Sequence, residues 1–143
     1  MKVECYVEQS TRRIGKATRG IGYVLECSIN GKPVTVSGFE KAQATSHAAE
    51  LTAVVSALKR MQKPADITIH TEDAYILTYA RMIDELAAGG FLKSDGTVIK
   101  NRELWEEFYE LTKPHSLTVR VGNHQYTNWI RSELKRRETE ETA

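Results

Sequence analysis

Cysteine is nearly absent from the 143-residue chain: Cys5 and Cys27 are the only two, no CxxC pair occurs, and no Cys/His spacing suits zinc. Both fall on what read as neighbouring antiparallel strands. A cross-strand bridge is sterically conceivable there, but in a reducing compartment free thiols are expected. Long apolar runs are missing as well. None approaches the roughly 18 residues needed to span a bilayer, and the N-terminal MKVECYVEQS lacks the apolar core of a signal peptide, so a cytoplasmic location without a membrane partner is expected. Nor does one sign of charge dominate. Twenty Lys and Arg against nineteen Asp and Glu leave a net +1, which does not by itself mark a nucleic-acid binder. No internal repeat or low-complexity tract is present.

With 41% hydrophobic residues, the chain is long enough for one domain with a real core and too short for two of ordinary size. Residues 1–137 are expected to form it, as a monomer, with 138–143 a charged, disordered tail. Basic residues gather in an early loop (Arg12, Arg13, Lys16, Arg19) and near the end (Arg131, Lys135, Arg136, Arg137), where Glu138, Glu140 and Glu141 offset them. Such clusters are compatible with a solvated surface or with a polyanion contact.

Lys2 to Glu8 alternates with the period of a strand, Val3, Cys5 and Val7 on one side and Glu4, Tyr6 and Glu8 on the other. Gln9 to Arg19 reads as an exposed loop and Gly20 to Cys27 as a second strand. Asn30-Gly31, between Ser28-Ile29 and Pro33-Val34-Thr35-Val36, signals a tight hairpin into a third. Apolar spacing from Ser46 to Met61 predicts an amphipathic helix capped by Thr45 or Ser46, with Glu50 beside its buried stripe. A second helix is expected from about Asp73 to Ala88, a third from Asn101 to Thr112 with Trp105 and Phe108 in the core, a strand over Leu117–Val121, and a last helix over Gln125–Arg137.

The stretch Ile67-Thr68-Ile69-His70-Thr71-Glu72-Asp73 organises the chain. It is a β-branched strand that ends in two acids where a helix begins, with Asp73 as the natural N-cap and His70 expected to pack in the sheet. Glu8 ends the first strand, Glu50 rides the first helix and Glu72 ends the fourth strand. A hairpin and a right-handed crossover would bring the three to one edge of the sheet. Three carboxylates converging without lysine or arginine repel one another, which calls for divalent cations; oxygen donors suit Mg2+ or Mn2+. A pair of such ions about 3.5–4 Å apart is the apparatus for in-line displacement at phosphate.

These residues carry a family likeness. The chain resembles type 1 ribonuclease H from about Lys2 to Arg137, through Glu8-Gln9-Ser10, Thr45-Ser46-His47-Ala48-Ala49-Glu50-Leu51, Thr71-Glu72-Asp73-Ala74-Tyr75, Gly90-Phe91, Asn101-Arg102-Glu103-Leu104-Trp105, and Asn123-His124 followed by Asn128 and Ser132. The resemblance implies an α/β fold of the ribonuclease H type: a five-stranded mixed sheet, strands 1–3 antiparallel and strands 1, 4 and 5 parallel, flanked by helices. It implies endonucleolytic, metal-dependent cleavage of the RNA strand of an RNA–DNA hybrid, recognised by A-form-like shape and 2′-hydroxyls. It also implies Glu8, Glu50 and Glu72 as ligands of a two-ion site, Ser132 at the remaining ligand position and His124 in product or proton handling. Ser10, Thr45, Ser46, His47, Asn101 and Asn128 would contact nucleic acid.

The chain departs from the family pattern at three of these positions. Glu8 and Glu72 stand where the family has aspartate, each adding roughly 1.5 Å of side chain. Misplacement by about 1 Å in a positioned site can cost on the order of 10²-fold. Ser132 lacks the family's carboxylate, which weakens the second ion site. The segment Ala80–Gly90, a basic handle in some members, holds one arginine and two acids. These departures favour an alternative: a degenerate module of the same fold that binds nucleic acid or a protein without cutting.

Overall fold

A computed structural model of the chain describes residues 1–142; Ala143 lies outside the described residues. The elements run β1 (Lys2–Gln9), β2 (Ala17–Ile29), β3 (Lys32–Ala44), α1 (Ser46–Leu58), β4 (Asp66–Thr71), α2 (Ala74–Arg81), α3 (Ile83–Ala88), α4 (Arg102–Thr112), β5 (Ser116–Val121) and α5 (Thr127–Thr142). They form one five-stranded sheet of order β3-β2-β1-β4-β5. β1/β2 and β2/β3 are antiparallel; β1/β4 and β4/β5 are parallel. This is the expected mixed sheet.

The central strand β1 is covered on both faces. Val3, Cys5 and Val7 join the main core with α1, α2 and α4, in which Trp105 and Phe108 are fully buried as expected. Tyr6 packs on the other face with Val24, Ile130 and Leu134 under α5. Asn30 and Gly31 both adopt positive φ, 53° and 78°, as the tight β2–β3 turn requires. Cys5 and Cys27 are free thiols, and burial pushes Cys5 up to about 12. Among the described residues no helix is long and apolar enough to cross a membrane.

Four boundaries differ from expectation. The hairpin is longer at both ends, since β3 continues through Ser37–Ala44, where the sequence offers no β-branched alternation. As the edge strand it is largely exposed and needs little apolar patterning. The single helix expected from Asp73 to Ala88 breaks at Met82 (φ −102°, ψ 8°), and Asp84 and Glu85 then sit in the first turn of α3, where acids are favoured. The basic segment ends earlier: β2 begins at Ala17, so Arg19 is a strand residue. The tail expected to be disordered continues α5 as far as Thr142, supported by Arg136 pairing with Glu133 at 2.7 Å and with Glu140 at 2.6 Å.

Candidate active site

Tyr6 pairs with His70 across the parallel β1/β4 ladder, so continuing the register sets Glu8 beside Glu72 just past the paired residues. Alternation along both strands then divides the site. Tyr6 and His70 lie on the α5 side, stacked with ring centroids 4.5 Å apart, so His70 packs as expected and Glu8 and Glu72 follow it on that side. Gln9 and Thr71 fall on the α1 side. There they hold Glu50: Gln9 Nε2 donates to Glu50 Oε1 at 2.9 Å, and the Thr71 hydroxyl donates to Oε2. Gln9 Nε2 also donates to the Ser46 carbonyl at 3.1 Å, tying β1 to the first turn of α1.

Glu8 and Glu50 are fully buried, and Glu72 keeps a side-chain exposure of 15%. Burial drives Glu50 upward from the ordinary carboxylate range, and Arg12, Thr71 and Gln9 only partly offset it. For Glu8, burial acts in the same direction but is outweighed by the hydrogen bonds from His124 and Glu72 and by Arg131 and Arg12, which hold it low. Glu72 moves up through its own burial and its proximity to Glu8. Of the neighbouring pair, Glu8 therefore stays ionised and Glu72 takes the proton more readily.

The glutamates do converge, but the expectation of a cluster free of arginine is wrong. Arg12 Nη2 lies 3.4 Å from Glu8 Oε1, 3.2 Å from Glu50 Oε1 and 3.4 Å from Glu72 Oε2. Arg131 Nε lies 3.4 Å from Glu8 Oε1, and its Nη2 pairs with Glu72. Oxygen donors of this kind suit a hard divalent ion in chemistry. Their spacing does not: a magnesium ion needs ligands at about 2.0–2.1 Å, whereas these oxygens are drawn up around a guanidinium. Among the described residues, no group of three or more His, Cys, Asp or Glu side chains is arranged to hold a metal ion.

The His124 side chain is buried, with 2% exposure. Its Nε2 faces Glu8 Oε2 at 3.1 Å and the Val7 carbonyl at 3.2 Å, while its Nδ1 accepts from the Tyr126 amide at 3.2 Å. Those partners fix the Nε2–H form and make His124 a clamp on Glu8. The Thr127 hydroxyl donates to the same Glu8 oxygen at 3.1 Å and accepts from the His124 amide. On α5 it is thus Thr127 and Arg131, one turn apart, that face the glutamates. Ser132 lies about 100° further round the helix, exposed, and its side chain makes no hydrogen bond among the described residues. Asn128 is also exposed.

The remaining candidates lie around the N-terminus of α1. Thr45 caps the helix, its hydroxyl accepting from the Ala48 amide. His47 Nδ1 sits 2.7 Å from Asp73 Oδ2 and the ring stacks on Tyr75, whose hydroxyl accepts from Asn101 Nδ2 at 3.0 Å and from Trp105 Nε1 at 2.8 Å. His47 and Asn101 thus meet on one tyrosine. Ser10 instead pins the start of the hairpin, its hydroxyl accepting from the Gly20 amide. Sequence reasoning missed Gln9, Thr71, Thr127, Arg12 and Arg131 as site residues. Gln9 and Thr71 stood inside the quoted motifs, one position from a named acid, and the even–odd alternation of a strand was the signal that would have found them.

Comparison with known proteins agrees with this architecture. The chain matches the RNase H family over residues 1–130. It is 30% identical over 99 residues to the ribonuclease H of Caldanaerobacter subterraneus subsp. tengcongensis, a match covering 65% of this chain and 64% of that relative, just under two thirds of its length. Two solved structures share the fold. LC9-RNase H1, described as a type 1 RNase H with the type 2 active-site motif, has a TM-score of 0.72 at 20% identity, over 94% of this chain and 69% of that one. The foamy viral protease-reverse transcriptase in complex with RNA/DNA hybrid has a TM-score of 0.64 at 16% identity, over 94% of this chain and 19% of that one. Matched along nine tenths of its length by one family and carrying that family's sheet order, the chain belongs to the ribonuclease H family.

Proposed function

We propose that this protein is a ribonuclease H, cutting the RNA strand of RNA–DNA hybrids at internal positions with Mg2+ or Mn2+. The observation that carries the reading is the convergence of Glu8, Glu50 and Glu72, from two strand ends and a helix, on a single point 3.2–3.4 Å from each. Family membership and the hybrid-bound neighbour support the substrate. Glu8, Glu50 and Glu72 are the residues that would hold the ions once Arg12 withdraws. A bound divalent ion supplies an activated water and neutralises charge on the scissile phosphate. The chain's own residues do the positioning: Gln9 and Thr71 fix both oxygens of Glu50, and His124 and Thr127 fix Glu8. The N-terminus of α1, with Ser46 and His47 in its first turn, offers a seat for a backbone phosphate. Asn101, held on Tyr75, flanks that seat, and Ser10 and Asn128 would contact the strand at the periphery.

A second reading is favoured by one observation, the two arginines that already neutralise much of the cluster. On that reading the fold binds hybrid or a protein partner without cutting. Cleavage of an end-labelled RNA–DNA hybrid in Mg2+ and in Mn2+, with Glu50→Gln as control, separates the two. Internal RNA cuts that vanish in the control are expected. Intact hybrid in both metals would overturn the proposal in favour of the binding module.

A further inference from the structure

We propose that Arg12 is a tethered cation occupying the divalent-ion position, so that metal enters only by displacing it. The inference rests on the reading of Glu8, Glu50 and Glu72 as ligands and adds a built-in competitor to that site.

Among the described residues, Arg12 is the one side chain that touches all three glutamates, and Arg131 reaches only Glu8 and Glu72. An ion and this guanidinium exclude one another. Both would draw on the carboxylates of Glu8, Glu50 and Glu72, and ligands at about 2.0–2.1 Å around magnesium would leave no room for a nitrogen at the same centre.

The placement is built into the loop. Arg19, only 1% exposed, donates to the carbonyls of Thr11 at 2.8 Å, Arg13 at 2.6 Å and Gly15 at 2.6 Å. The backbone on either side of Arg12 is therefore held by a buried guanidinium. Arg19 Nε also donates to the Ala44 carbonyl at 2.9 Å and its Nη1 reaches Gln9 Oε1 at 3.4 Å, the same Gln9 that holds Glu50. One network thus fixes both the ligand and its competitor.

The contacts that Arg12 makes with the three acids are long. Arg12 Nε is the one buried side-chain polar atom without a hydrogen-bond partner among the described residues. Its contacts of 3.2–3.4 Å exceed the roughly 2.7–2.9 Å of a well-made charge-assisted bond. The side chain is 29% exposed, so the guanidinium has a way out to solvent. An incompletely satisfied cation shared among three acids is displaceable by a divalent ion that satisfies all three at closer range.

The test is Mn2+ binding to the intact, hybrid-free protein, followed by the electron paramagnetic resonance of free Mn2+ and by calorimetry. Arg12→Gln is expected to bind Mn2+ about tenfold or more tightly than wild type, with Arg12→Lys, whose shorter side chain falls short of the point where Arg12 Nη2 meets the three acids, in between. Folding of each variant is checked by circular dichroism; should Arg12→Gln not fold, Arg12→Lys decides by the same criterion. Equal affinities in wild type and variants, at a measurable Kd abolished by Glu50→Gln, would overturn the competitor while leaving the ligand reading intact. No Mn2+ binding by any of the proteins would overturn both.

Discussion

Glu50 and Glu8 respond to burial with opposite net signs, and that contrast sets the pH behaviour of the metal-free protein. Glu50 is raised from 4.5 chiefly by burial. Its contribution to stability is fully present below about 4.5 and is lost as pH rises through its folded value, because the folded state then carries a poorly solvated anion. Glu8 is lowered from 4.5 despite burial, through His124, Glu72 and the two arginines. Its contribution is present above 4.5 and is lost as pH falls through its folded value. Glu50→Gln should accordingly melt higher than wild type at pH 8 in EDTA, with the gap closing toward pH 4.5. Thermal melts followed by circular dichroism at the two pH values check this, and a gap independent of pH would mean that something other than the charge of Glu50 is at work. His124→Ala should lose about 1–3 kcal/mol of stability in urea titrations, since it leaves the Tyr126 amide and a buried carboxylate oxygen short of a partner. A loss well below that would mean water replaces the ring without cost.

At the scale of elements, the site is the product of strand alternation at two adjacent carboxyl ends. Even residues turn to α5 and odd ones to α1, so each strand supplies one acid and one polar partner. Legibility from the sequence followed the same physics. β1, β4 and α4 carry strong apolar periodicity, and α1 is apolar round most of its circumference, because they build the core, and Glu8, Glu50 and Glu72 were findable because each terminates or borders such a pattern. The second half of β3 and the last turns of α5 were not legible, since an edge strand and an exposed helix are held by backbone pairing and surface ion pairs that leave no periodic mark. Arg12 and Arg131 were visible only as members of basic clusters; that Arg12 turns inward depends on loop anchoring by Arg19, a contact between residues whose types announce nothing. α5 itself depends on Gly22 for its seat. A Cβ there would lie 2.8 Å from Ile130 Cγ2 and 2.9 Å from the Phe39 ring. Gly22→Ala should therefore cost about 1–3 kcal/mol and shift α5, loosening Thr127 and Arg131 from Glu8. Urea titration reads the first effect, and the pH dependence of melting, as the clamp on Glu8 weakens, reads the second.

For the whole molecule, charge is balanced in sum and, on part of the surface, locally. The net charge is +1, and many exposed cations already face an acid: Lys59 with Glu107, Arg102 with Glu106, Lys113 with Glu110, Arg136 with Glu133 and Glu140, and Lys41 with Glu141. The helix that could grip a duplex offers Asp84 and Glu85 in its first turn instead of a basic face. A phosphate contact contributes to affinity by releasing condensed counterions, so the slope of log affinity against log salt counts the cations engaged, at roughly 0.7–0.9 per contact. At the strand ends themselves the cations Arg12 and Arg131 are already held by the glutamates, so hybrid binding should lose less than about a hundredfold between about 50 and 200 mM salt, against the 10³–10⁵ of proteins that make 6–10 phosphate contacts. Fluorescence anisotropy of a labelled hybrid in EDTA, with Glu50→Gln to preclude cutting, measures this directly. A steep slope would mean that hybrid outcompetes the surface glutamates for their cations, in which case the ion pairs named here are exchangeable contacts and the duplex footprint extends well beyond the strand ends.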